Sequence, residues 1–240
     1  MKNLQSRFVA FGLALTVAAG LASASFTNKT VQDEETRTFS VNGFDRLDMG
    51  SAFVIHVKQG SSYSVKATGR KQDLDELEAQ VKGKTLDIHY GSKWNRNRKR
   101  VTFDITMPSL QGIDFSGAST SDVRGFKNQG NMSVEVSGAS TSTIELDADK
   151  IEVDFSGAST VNLIGRADQI TGDISGATTV KAFDLQSKKV QLEVSGASGV
   201  RVNASEKLSI DASGASSVRY RGSASVSANT SGASSVRKDA

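Results

Sequence analysis

The sequence predicts an all-β protein built as a parallel β-solenoid, a β-helix of coils about 19 residues long. Three observations carry this reading. Ser-Gly-Ala-Ser or a near variant occurs seven times, with its glycine at Gly117, Gly138, Gly157, Gly176, Gly196, Gly214 and Gly232, at intervals of 21, 19, 19, 20, 18 and 18 residues. Around each copy apolar and polar residues alternate, which is the period of a half-buried strand. The repeats are also rich in Gly, Ser and Thr and lack the 3.6-residue apolar rhythm of a helical solenoid. One such unit cannot bury its own apolar face, whereas stacked neighbours bury a continuous core. An antiparallel meander of hairpins shares the alternation and is the alternative architecture.

From the N-terminus, Lys2 and Arg7 precede an uncharged apolar stretch, Phe8 to Leu21, followed by Ala22-Ser23-Ala24. This is the pattern of a signal peptide over residues 1–24, so an exported mature chain is expected to begin at Ser25. The apolar run is short for the roughly 20 residues that a spanning helix needs. The expected destination is the periplasm, the cell surface or the medium. Residues 25–38 read as a polar leader, and residues 39–240 as one solenoid domain.

Within that domain, residues 39–110 lack the tetrapeptide and read as irregular leading coils that cap the solenoid. Ala52 to Lys58, Ser62 to Thr68, Thr85 to Tyr90 and Val101 to Met107 alternate as strands, with turns at Gly60-Ser61 and Lys82-Gly83. Asp73 to Val81 reads as one short helix, since Leu74 and Leu77 stand three apart. Residues 111–240 are the repeat coils. Two residues before each glycine stand Phe115, Val136, Phe155, Ile174, Val194, Ala212 and Thr230; four before it stand Ile113, Val134, Val153, Gly172, Leu192, Ile210 and Ala228. Valines occupy the fourth position after it from Val161 to Val236. Each unit therefore reads as a short strand, a tight Ser-Gly-Ala corner, a second strand and a loop such as Asp147 to Lys150. The glycine suits a corner that needs positive φ or leaves no room for a Cβ. The invariant alanine that follows is expected inside the corner, and the serines are expected to form hydroxyl ladders between coils.

Composition narrows the function classes. The chain has no cysteine, so disulfides and lipid attachment through cysteine are excluded. Without Lys2 and Arg7, 27 basic residues face 26 acidic ones, which gives no global footprint for nucleic acid.

Phe44 to Gly69, the Leu86-Asp87-Ile88 strand, the Met107-Pro108-Ser109-Leu110 turn and the first Ser116-Gly117-Ala118-Ser119 together resemble the putative auto-transporter adhesin, head GIN domain family. The resemblance covers roughly residues 39–237. It implies a bacterial envelope or secreted protein with a right-handed β-helical fold and an adhesive role. It supplies no catalytic or ligand residues.

Four features are candidates for chemistry. Asp114, Glu135, Asp154, Asp173, Glu193 and Asp211 fall on one outward column with a spacing of about 5 Å. A row of calcium sites is one reading and a solvated, solubilising face the other; single carboxylates without converging carbonyls favour the second. Five residues past the glycine, Asp122, Thr143, Asn162, Lys181, Arg201, Arg219 and Arg237 drift from acidic to basic. That drift steers anionic polymers or blunts an open sheet edge, and the fading apolar columns at the same end favour edge protection. Lys93, Arg96, Arg98, Lys99 and Arg100 surround Trp94, the only tryptophan, in a loop between two strands. An aromatic among cations suits a sugar or base while the cations meet phosphate or sulfate, so lipopolysaccharide, an anionic glycan or extracellular DNA is the expected partner. A solvated loop is the alternative. His56 and His89 alternate outward on strands and need only solvent or a cross-strand partner. No nucleophile elbow occurs, and no cofactor is expected. The sequence thus points to a non-catalytic, adhesin-like module. A structural protein that self-associates through its end coils is the second reading, and a polysaccharide-active enzyme the third.

Overall fold

The computed structural model describes residues 34–91 and 97–239. The expected signal peptide, its cleavage site, and Lys93, Trp94 and Arg96 lie outside the described residues. Strands account for 69% of the protein, stacked as a β-solenoid of about seven turns.

The body consists of β9 (Thr120–Val136), β10 (Thr141–Phe155), β11 (Thr160–Ile174), β12 (Thr179–Val194) and β13 (Gly199–Ala212). Each pairs in parallel with the next, so the antiparallel meander does not occur here. One strand makes almost a whole coil. It leaves a Ser-Gly-Ala corner, runs along one face, bends, and returns along the other face to the next corner. We call these the post-corner and pre-corner faces. The unequal repeat lengths are absorbed at the bends, where the register shifts between Ile144 and Ala148, between Asn162 and Gly165, and between Ala182 and Lys189. The last coils are β14 (Ser217–Arg221) and β15 (Ser225–Thr230), both parallel to β13, then β16 (Ser235–Lys238) on β14.

The corner explains the tetrapeptide. All seven repeat glycines have φ between +69° and +78°. In this left-handed region a Cβ is strained. A Cβ on Gly157 would also collide with the carbonyl oxygen of Gly138 directly beneath it, and the same holds up the stack. Both expected reasons for glycine therefore apply together. This close approach lets each corner bond to the one below, with Ala158 N donating to Gly138 O at 2.7 Å and Ala177 N to Gly157 O at 2.8 Å.

The alanine column, however, faces solvent. It is the residue after it that is buried: Ser119, Ser140, Ser159, Thr178, Ser198 and Ser216 are each at most 2% exposed. The positive φ at glycine turns the alanine outward and brings the hydroxyl residue in. A buried hydroxyl needs an acceptor. Ser140, Ser159, Thr178 and Ser216 find one in their own coil, donating to the carbonyl three residues back at 2.7–2.8 Å. Hydroxyl-to-hydroxyl contacts between repeat coils join Ser119 with Ser140 and Ser121 with Ser142, at 3.0 and 2.8 Å, and further on Ser205 and Ser223 donate to the carbonyls of Ser187 and Ser205.

The leading part is a cap whose stacking order departs from chain order. On the pre-corner face, β2 (Arg46–Gly50) lies between β6 (Thr85–Tyr90) and β8 (Gly112–Ser116), all parallel. On the post-corner face, β3 (Val54–Gln59) lies between β7 (Thr102–Met107) and the first half of β9. Residues 46–59 thus form a coil inserted beneath one that comes later in the chain. Antiparallel strands then close the end: β4 (Ser64–Arg70) on β7, β1 (Glu34–Phe39) on β4, and β5 (Leu77–Lys82) on β6. The leader expected to reach residue 38 is therefore strand from Glu34. The single helix expected over Asp73–Val81 is instead α1 (Lys71–Asp75) followed by β5, because Leu77, Ala79 and Val81 alternate with the period of a strand.

The core runs unbroken along the axis. Phe44, Phe53, Phe103, Phe115, Phe126 and Phe155 are fully buried in its first two thirds, whereas Val, Leu, Ile and Ala fill the rest.

Gly157→Val is expected to lower the melting temperature by at least about 4 °C, since a left-handed non-glycine residue costs on the order of 1–2 kcal/mol before any collision is relieved. Ala158→Ser, at an exposed corner position, should melt within about 1 °C of the parent. Thermal unfolding followed by circular dichroism checks both.

Candidate functional site

Parallel register converts each sequence column into a straight ladder. On the pre-corner face Asp114, Glu135, Asp154, Asp173, Glu193 and Asp211 stand side by side on successive strands. The cap lengthens this row, since Asp48 pairs with Asp114 and Asp87 with Asp48. Those two members could not be read from the sequence, where no tetrapeptide marks their register. Each rung adds a carboxylate about 4.8 Å from the last. Like charges directly opposite one another on adjacent strands are unfavourable.

The row is not uniform along its length. Against the desolvation that pushes it up, hydrogen bonds from Lys82 and His89 hold the Asp87 carboxyl below its ordinary value. Lys82 Nζ lies 2.8 Å from Asp87 Oδ2, and His89 Nδ1 lies 2.9 Å from Asp87 Oδ1. One rung on, partial desolvation and then the Asp87 charge raise Asp48. Asp114 is raised too, by desolvation first and then by Asp48, Glu135 and Asp154. Toward the other end Asn229 donates to Asp211 and closes the row. Among the described residues no three His, Asp or Glu side chains converge on a point that could hold a metal ion. The carboxylates line up along the axis and do not surround a centre.

On the post-corner face the register brings Lys66, Asp104, His56, Asp122, Thr143, Asn162, Lys181, Arg201, Arg219 and Arg237 into one row. In its first part basic and acidic residues alternate. His56 Nδ1 sits 3.2 Å from Asp104, and Arg124 Nε donates to Asp122 at 2.8 Å. These groups line a groove with Lys58 and Ser64. The last four members are all cations and all exposed. Arg219 reaches Asp239 at 3.4 Å, but Asp239 is held mainly by Arg221, at 2.6 Å. His56 and His89 thus both face outward and both meet carboxylates.

The basic loop emerges from the cap. Arg98, expected as a ligand contact, is taken up by the protein itself: its Nε donates to Glu76 at 2.9 Å, and its guanidinium lies 4.1 Å from the centre of the Tyr90 ring. Burial, aided by Asp73, pushes the Tyr90 phenol up to about 12, so the ring under Arg98 stays neutral. Asp73 is wholly buried, accepts both hydrogen bonds of the Arg70 fork at 2.7 and 2.9 Å, and also accepts one from the Lys99 amide at 3.1 Å. Arg70 further donates to Asn97 O. The returning limb of the loop is thereby fixed to the cap. The Lys99 and Arg100 side chains remain exposed.

Comparison with known proteins follows the same architecture. The family model for the putative auto-transporter adhesin, head GIN domain, matches residues 43–224. A putative adhesin from Bacteroides fragilis NCTC 9343 has a similar crystal structure, with 25% identity, a TM-score of 0.82, and coverage of 87% of this chain and 98% of that one. A putative lipid binding protein from Parabacteroides distasonis ATCC 8503 is 17% identical with a TM-score of 0.66, over 87% of this chain and 97% of that one. A putative adhesin from Parabacteroides merdae ATCC 43184 is 15% identical with a TM-score of 0.66, over 86% and 96%. The last two likenesses speak for the fold alone. No curated protein matches the chain.

Because the folded state holds the proton of Asp114 more tightly than the unfolded chain does, ionising this carboxyl costs stability. Asp114→Asn is therefore expected to melt about 1–3 °C above the parent at pH 7. That advantage should shrink as the pH falls through the raised value, where the parent carboxyl becomes neutral as well. Melting curves from neutral to acid pH check the sign.

Proposed function

Since this chain belongs to the putative auto-transporter adhesin, head GIN domain family, we propose that it is an exported, non-catalytic, adhesin-like module of the bacterial cell envelope. Its proposed ligand is an anionic glycan, with lipopolysaccharide in that class. The observation that carries the reading is the anchored base of the basic loop. Arg98, Asp73 and Arg70 clamp the returning limb, so Lys99 and Arg100, which follow Lys93, Trp94 and Arg96 in sequence, are presented from a fixed footing. Cations on a fixed support lose less conformational freedom on binding than cations on a free loop. Trp94 adds an aromatic surface of the kind that stacks on a sugar ring.

Several further features support the reading. The outward faces carry their charges in rows along the axis. Among the described residues no helix is long and apolar enough to cross a membrane. The basic n-region, apolar stretch and Ala22-Ser23-Ala24 support export with cleavage before Ser25.

Two measurements test this. Expressed with its leader in a Gram-negative host, the protein should be recovered outside the cytoplasm with Ser25 as its first residue by mass spectrometry. Recovery in the cytoplasm with Met1 or Lys2 intact would refute export. On a glycan array the mature protein should bind uronate or sulfated polymers in a salt-sensitive manner. Replacing Arg96, Lys99 and Arg100 by serine should weaken that binding about tenfold or more without shifting the melting curve. Binding unchanged by the triple substitution would remove the loop from the ligand site.

A further inference from the structure

We infer that this protein associates with copies of itself laterally, the carboxylate row of one molecule lying along the arginine–lysine row of the next. The inference rests on the two faces and not on the basic loop. Both rows are generated by the same parallel register, so both advance by one rung, about 4.8 Å. Asp114, Glu135, Asp154, Asp173, Glu193 and Asp211 occupy six successive rungs of the pre-corner face. Lys181, Arg201, Arg219 and Arg237 occupy four successive rungs of the post-corner face. A second copy therefore offers a row of opposite sign and identical spacing, whichever way its axis runs. Four cations can be matched by any four consecutive carboxylates.

The local surroundings favour such a contact. Asp154, Asp173 and Glu193 have no ion-pair partner among the described residues, nor do Lys181, Arg201 and Arg237. Lys150, Lys189 and Lys207 share the pre-corner face, but they stand four residues before the acids along the strands. That places them about 13 Å away, beyond a Debye length of about 8 Å at physiological salt. On one side each row is lined by small residues: Ser156, Ser175 and Ser195 two places after the acids, and Thr179, Gly199 and Ser217 two places before the cations. On that side the charged heads are open to the row of a second molecule. The rows sit on opposite sides of one core, so a molecule can engage a neighbour through each. Such a heterologous contact leaves each molecule with one unpaired row and so extends beyond a dimer, into a ring or an open array.

Sedimentation of the purified protein tests this. The average mass should rise with concentration at low ionic strength, where the Debye length is about 30 Å, and should fall to that of the monomer near 1 M salt, where it is about 3 Å. Two charge reversals are then made, Asp154→Lys with Asp173→Lys and Glu193→Lys, and Lys181→Glu with Arg201→Glu and Arg237→Glu. Each alone should weaken association about tenfold or more, and mixing the two in equal amounts should restore it. Should the acid-face reversal lose the parent's circular dichroism spectrum, Asp154→Asn with Asp173→Asn and Glu193→Gln replaces it, with the same loss expected. Monomers at every concentration in low salt would overturn the inference. So would undiminished association in either reversed protein, no recovery on mixing, or association that strengthens with salt, as stacking of apolar end coils would give. Glycan binding through the loop is measured separately and should be the same in parent and reversed proteins.

Discussion

The close approach of one glycine corner to the next is the constraint on which the rest of the structure depends. With a Cβ at Gly138, Gly157 or Gly176, the corner below could not come within hydrogen-bonding distance, and positive φ at those residues would be strained. With glycine there, the backbone ladder runs around the corner without a break. The buried hydroxyl two residues later then finds its acceptor three residues back in the same coil. Pairing on both faces, the continuous core and the straight rows of surface charge all follow from this vertical alignment.

That alignment also makes the surface chemistry obey an unusual rule. In most folds one charged residue meets a varied set of neighbours. Here a residue meets the equivalent residue of the coils above and below, so a preference for acid at one repeat position becomes a row of acids. The Asp48 and Asp114 carboxyls are raised first by partial burial and then by the neighbouring carboxylates of the row. At the cap the protein relieves this repulsion with Lys82 and His89. Along the body no cation of the same molecule stands within the row, although a row of cations exists on the other face. A surface kept in this state is poorly suited to a purely solubilising role, for which alternating signs would serve better.

The body of the fold was legible because its period, its alternation and its glycines all point the same way. Charged columns read from sequence became rows in space at the residues named, from Asp114 to Asp211 and from Lys181 to Arg237. What the sequence concealed was of two kinds. The first was handedness at a single turn. Whether Ala158 or Ser159 points inward depends on the sign of φ at Gly157, and composition alone favoured the wrong one. The second was connectivity. Nothing local to residues 46–59 reveals that they lie between a coil formed by residues 85–107 and the one that begins at Gly112, so the membership of Asp48 and Asp87 in the acid row could not be foreseen. The basic loop shows a third limit: Arg98 looks like its neighbours in sequence, and only the positions of Glu76 and Tyr90 turn it into an internal clasp.

The distribution of aromatic rings along the axis gives the molecule a direction. Phe53 packs edge-on against Phe103 at 4.8 Å, and Phe44 stacks near Tyr63 at the same distance, whereas beyond Phe155 no phenylalanine is fully buried. In a stack whose cohesion is summed over neighbouring coils, each coil is held chiefly by what lies beside it. The protein is therefore a tapered zipper, anchored by the heavy aromatic block and loosest at its valine and alanine end. Opening under tension or heat should travel from the light end toward the block, and refolding should retrace that route, each closed coil serving as the template for the next.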